Sequence, residues 1–138
     1  MGQFKHIERI IHRNPDIYEY IFKDKTVDAI NEYVEAMLLM AQDVKDRGKL
    51  DQPLYIIVDV AESGLYSLRY ALTRIKENLI PKVNYLPSIY FVYITDDLSD
   101  RMLIEQFKYM DNTRAKDSRK VFGTNERDKA ITWLLSNK

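Results

Sequence analysis

Ser63 stands where an apolar run, Leu54-Tyr55-Ile56-Ile57-Val58-Asp59-Val60, gives way to Ala61-Glu62-Ser63-Gly64-Leu65-Tyr66 and an amphipathic stretch beyond. A hydroxyl at a strand-to-helix junction has two uses. It caps the helix by accepting from an early amide, or it carries a phosphate whose added charge suits the positive end of a helix dipole. Both readings are open for Ser63, and either makes Glu62, Ser63, Gly64, Leu65 and Tyr66 a candidate contact surface. Glu62 lacks the histidine partner that a nucleophilic triad requires. His6 and His12 lie six apart on one expected strand, so they face the same side about 20 Å apart and cannot share a metal. They are expected to be surface imidazoles. There is no cysteine, no His-x-Glu, no Gly-x-Ser-x-Gly and no glycine-rich phosphate loop, so no catalytic residue, metal site or cofactor is assigned. The expectation is a protein that is not an enzyme.

These side chains depend on the elements that carry them. His6 to His12 and Ile17 to Phe22 read as a hairpin across Asn14-Pro15-Asp16. From Thr26 the period changes: Val27, Ile30, Val34, Met37, Leu38, Ala41 and Val44 recur at steps of three and four, the pattern of an amphipathic helix. Thr26 suits its cap, and Gly48 followed by Pro53 its stop. Leu54 to Val60 is a strand, and a second helix is expected from about Gly64 to Leu79. Ser88 to Thr95 is apolar at both parities, as a strand covered on both faces is. Asp97-Leu98-Ser99-Asp100 opens a third helix with Leu103, Phe107 and Met110 inward, ending at Asp111-Asn112-Thr113 before a polar loop, Asn112 to Ser118. Arg119 to Phe122 is a short strand, and Gly123-Thr124 starts a last helix with Ala130, Ile131, Leu134 and Leu135 on one face and Trp133 at its flank. The order predicts an α/β fold with an N-terminal hairpin, right-handed crossovers and a mixed, mostly parallel five-stranded sheet with four helices.

Ile56 to Val60 with Glu62-Ser63-Gly64-Leu65 is similar to the strand and Asp-Ser-Ser-Gly-Leu switch motif of the SpoIIAA-like branch of the STAS superfamily, the anti-sigma-factor antagonists. Lys120-Val121-Phe122-Gly123-Thr124 and Asp128-Lys129-Ala130-Ile131-Thr132-Trp133-Leu134-Leu135 resemble that branch's closing strand and Ala-x-x-Trp-Leu helix. The element order agrees over nearly the whole chain. The resemblance implies a regulatory, protein-binding module in which Ser63 matches the phosphorylated serine. Ala61 and Glu62 stand in place of the motif's Asp-Ser pair. The related CRAL-TRIO architecture implies the alternative, a carrier of a lipid or other small apolar ligand. Asp59, Thr95 and Lys120 resemble the phospho-acceptor set of receiver domains, but only Asp24 follows Phe22 where an acidic pair would hold magnesium.

The 138 residues fit a single domain spanning 1–138, and 46% apolar residues suffice for one core. Twenty-one basic and 21 acidic residues cancel, which removes the field that nucleic acid would need. Arg114, Lys116, Arg119 and Lys120, with Arg127 and Lys129, form a local basic cluster that could meet an anionic lipid or an acidic partner. No signal-peptide or membrane-spanning run is present, so a cytoplasmic protein is expected. Among ten tyrosines, Tyr18 and Tyr20 share a strand face with Phe22, and Tyr55 shares one with Ile57 and Asp59. If all four helices pack on one side, these aromatics form an uncovered face fit for a homodimer or an apolar ligand.

Overall fold

The computed structural model describes residues 4–79, 88–110 and 118–136, with the backbone alone at 107–110 and 118. The elements run β1 (Ile7–His12), β2 (Ile17–Phe22), α1 (Val27–Asp46), β3 (Leu54–Asp59), α2 (Leu68–Asn78), β4 (Ile89–Ile94), α3 (Leu98–Met110), β5 (Ser118–Phe122), a 3-10 turn (Thr124–Glu126) and α4 (Arg127–Leu135). The five strands lie in chain order, with β1 antiparallel to β2 and the others parallel. This is the expected α/β architecture. The polar loop before β5 falls outside the described residues except for Ser118.

Strand order fixes where the helices go. Three crossovers that step in one direction with one hand must place α1, α2 and α3 on the same face of the sheet. Their buried residues accordingly share one core: Tyr33, Met37 and Met40 of α1, Ala71 of α2 and Ile104 of α3 meet Tyr20, Ile56, Val58 and Tyr93 of the sheet. Helix α4 follows β5 and, among the described residues, connects no pair of strands. It folds onto the other face, where Ala130 and Leu134 close a second core over Ile17, Tyr55, Ile57, Val92 and Phe122.

That placement corrects the expectation of an uncovered aromatic face. Tyr18 pairs with Ile56 and Tyr20 with Val58 across β2 and β3, so Tyr55 and Ile57 have the opposite parity. Tyr18, Tyr20 and Phe22 lie fully buried on the α1 face, while Tyr55 lies on the α4 face. Phe22 stacks on Tyr66 at 4.6 Å between ring centroids and meets Tyr33 edge-on at 5.3 Å; Tyr20 meets Tyr33 at 5.4 Å. Desolvation in this ring cluster pushes the Tyr33 and Tyr66 phenols well up.

Local signals set most boundaries. Thr26 Oγ1 accepts from the Ala29 amide at 3.2 Å, and α1 stops at Gly48, whose φ of 68° lets the Gly48 and Lys49 amides turn back to the Lys45 and Val44 carbonyls. The second helix starts later than its pattern suggested. Gly64 takes φ 80°, Leu65 and Tyr66 bury themselves in irregular chain before the helix, and Ser67 is the cap, accepting from the Tyr70 amide at 3.2 Å. Among the described side chains of α3, Ile104 is buried and Leu103 faces out, while those of Phe107 and Met110 lie outside the described residues. Among the described residues no helix is long and apolar enough to cross a membrane.

Candidate functional site

Ser63 lies in the Ala61–Ser63 turn, before the N-cap of α2, and so neither caps that helix nor meets its dipole. Its hydroxyl donates to the Gly64 carbonyl at 2.7 Å, and the Gly64 amide returns to Val60 O at 2.9 Å. Of the five residues singled out around it, Glu62 is exposed, Ser63 and Gly64 are half-buried, and Leu65 and Tyr66 are core. The exposed tip of the turn is therefore Ala61 and Glu62.

Helix α3 stands beside it. The Leu65 amide donates to Asp100 Oδ2 at 3.0 Å, which ties the turn to the first turn of α3. Asp97 Oδ1 accepts from the Asp100 amide at 2.9 Å, and the Asp97 amide donates to Thr95 Oγ1. With its start fixed at these points, α3 exposes 77% of Leu98 and 63% of Met102, one turn apart on the same side, with Leu103 at 51% next to them. Sequence periodicity did not separate these residues from core, because a helix covered on one side only carries apolar residues around more than its buried stripe.

Under the turn, on the α4 face, lies a charged network that sequence reasoning missed. Glu19 is 2% exposed, and its carboxylate accepts from Arg127 Nη2 at 2.5 Å and meets His12 Nε2 at 2.8 Å. Arg127 Nη1 reaches on to Asp59 Oδ2 at 3.3 Å, and Asp59 Oδ1 accepts from the Ala61 amide at 3.0 Å. One guanidinium thus joins the hairpin, β3, α4 and the Ser63 turn. The available signal was parity: Glu19 shares a strand face with Ile17 and Ile21, so it points at whatever covers them, and a buried carboxylate there needs a cation.

Both histidines reach solvent, as expected of surface imidazoles, and each also has a carboxylate partner. His6 Nδ1 meets Asp24 Oδ2 at 2.7 Å, which raises the imidazole's pKa. Hydrogen bonds from Thr26 and then His6 lower the Asp24 carboxyl to about 2. Asp59, Thr95 and Lys120 do not assemble into an acceptor site. Asp59 is engaged by Arg127, Thr95 is buried under the α3 turn, and Lys120 lies over the Phe122 and Trp133 rings at 5.4 and 5.9 Å. Strand alternation also splits the basic cluster: Arg119 sits over Phe91 on the first face and Lys120 on the second. Arg114 and Lys116 lie outside the described residues.

Tyr18 and Tyr55 do come together at one place. Both line a cavity of about 300 Å³ at the lower end of β3, with Pro15, Asp16, Val44, Lys49, Pro53 and Leu54. Tyr18 OH donates to Asp43 Oδ2 at 2.6 Å beside it. No group of three or more His, Cys, Asp or Glu side chains among the described residues is arranged to hold a metal ion. Comparison with protein-family models, curated proteins and solved structures returns no match.

Proposed function

We propose that this protein is a binding module of the SpoIIAA-like kind, and that its partner protein docks on α3 and the adjoining Ala61–Gly64 turn. The exposed Leu98, Met102 and Leu103 side chains carry this reading. Three large apolar residues held in water on one short helix cost about 1.5 to 3 kcal/mol each relative to burial, and a partner would recover that. Asp100 fixes the turn against the helix, so the two present one contact surface. Ser63 would then act by its position at the rim of the contact, where a phosphate adds charge next to an apolar patch.

The test is a pull-down from native lysate with four baits: wild type, Leu98→Lys/Met102→Lys, Ser63→Asp and Ser63→Ala, each checked for folding by circular dichroism. A partner held by wild type and the alanine variant and lost with the lysine pair supports docking on α3. Its additional loss with Ser63→Asp supports the switch. A partner held equally by all four baits sinks the proposal.

The carrier reading comes second and rests on the cavity of about 300 Å³ between Tyr18 and Tyr55, a volume at the low end for a small-ligand site. A small apolar molecule found by native mass spectrometry, and lost on Val44→Phe, would favour it.

A further inference from the structure

The outer edge of the sheet at β1 carries its own specification for a partner. The Lys23 amide donates to the His6 carbonyl at 2.9 Å, and those residues are directly opposite in the β1–β2 register. Antiparallel ladders alternate, so Glu8, Ile10 and His12 also turn their backbone groups toward β2. Ile7, Arg9 and Ile11 therefore aim their amides and carbonyls away from the sheet. Neither Ile10 nor Ile11 is fully buried, as an open edge requires.

We infer that β1 pairs antiparallel with β1 of a second copy of this chain, with Ile10 on the two-fold axis. Only registers that set odd-numbered residues opposite odd ones let the outward groups of Arg9 and Ile11 meet. The neighbouring registers fail on side chains. Centring on Glu8 opposes two carboxylates, and centring on Ile11 opposes Arg9 to Arg13. Centring on Arg9 places His6 against His12 and leaves Glu8 facing Ile10. Centring on Ile10 sets Ile10 against its symmetry mate and Glu8 against His12, twice, all on the α4 face. An acidic side chain then opposes an imidazole at each end of an apolar centre. Arg9 and Ile11 exchange about four inter-chain hydrogen bonds, and the two sheets become one. The edge strand, an aggregation hazard in a monomer, is closed by this pairing.

Light scattering on the full chain tests the pairing. Wild type should weigh about twice the 16.4 kDa of one chain. Ile10→Lys, which sets two ammonium groups face to face at the axis, should weigh one chain. Arg9→Pro should do the same, because it removes an outward amide and leaves the β1–β2 ladder whole. Glu8→Lys, on a side chain exposed among the described residues, should weaken the dimer about ten-fold in Kd. Leu98→Lys/Met102→Lys should leave the mass doubled. A wild type that stays at one chain's mass at about 100 µM overturns the inference. So does a dimer that survives Ile10→Lys and Glu8→Lys, or one lost only with the α3 pair.

Discussion

Replacing Arg127 with alanine should destabilise the protein by about 2 kcal/mol, more than its place on the first turn of a short terminal helix would suggest. The guanidinium holds two carboxylates, and Glu19 is 2% exposed. Leaving a fully buried charge unpaired costs about 3 to 5 kcal/mol, which bounds the effect from above. Two features lower it. His12 still meets one Glu19 oxygen, and Arg127 is itself 38% exposed, so water enters where the side chain leaves. A remaining charge-assisted hydrogen bond is worth about 1.5 to 3 kcal/mol, which places the net near 2 and the fall in Tm near about 7 °C. Urea unfolding followed by Trp133 fluorescence and by circular dichroism measures it. The double variant Glu19→Met/Arg127→Met should recover most of the loss, because no buried charge is left. An Arg127→Ala variant within about 0.5 kcal/mol of wild type would refute the reasoning, since a buried carboxylate cannot lose its main partner so cheaply.

Ser67→Ala should cost about 1 kcal/mol in urea unfolding because Ser67 caps α2, while Ser63→Ala should change stability by less than about 0.5 kcal/mol. Gly64→Ala should cost about 1 to 2 kcal/mol: φ is 80°, and the nearest atoms to an added Cβ are those of Lys25 at 3.7 Å, so the penalty is backbone strain and not collision. The His6–Asp24 pair gives a pH signature. The raised His6 pKa means its contribution is fully present below about pH 6.5 and is lost as pH rises through the folded value, whereas the lowered Asp24 pKa means its contribution is present above about pH 4 and is lost as pH falls toward about 2. The difference in urea midpoint between wild type and His6→Gln should therefore be largest between about pH 4 and 6.5 and shrink above it. A difference that grows with pH would contradict the sign.

Element order, type and most ends were legible in the sequence because they rest on local physics. Thr26 caps α1 through an amide three residues on, Gly48 ends it through its own φ, and the two apolar parities of Ile89 to Ile94 mark a strand covered on both faces. The start of α2 was misplaced because Leu65 has the spacing of a helical residue while Gly64, at positive φ, holds the chain off the helix until Ser67. Candidate contact residues fared unevenly for the same reason. Glu62 and Ser63 reach the surface of a turn, whereas Leu65, Tyr66, Tyr18, Tyr20 and Phe22 are core.

By itself the sequence determined which residues share a side of each strand and helix, since that follows from periods of two and 3.6 along a single segment. Only the tertiary structure decided which side of the sheet each set faces. Crossover handedness binds α1, α2 and α3, each set between two parallel strands, to one face but says nothing of α4, which lies on the other. That choice put Tyr55 in the core on the face opposite that of Tyr18 and brought Arg127 to Glu19, 108 residues earlier in the chain. A contact between segments so far apart has no periodicity to announce it. It is selected by the cost of leaving Glu19 buried without a cation, a cost that exists only once the sheet and α4 have met.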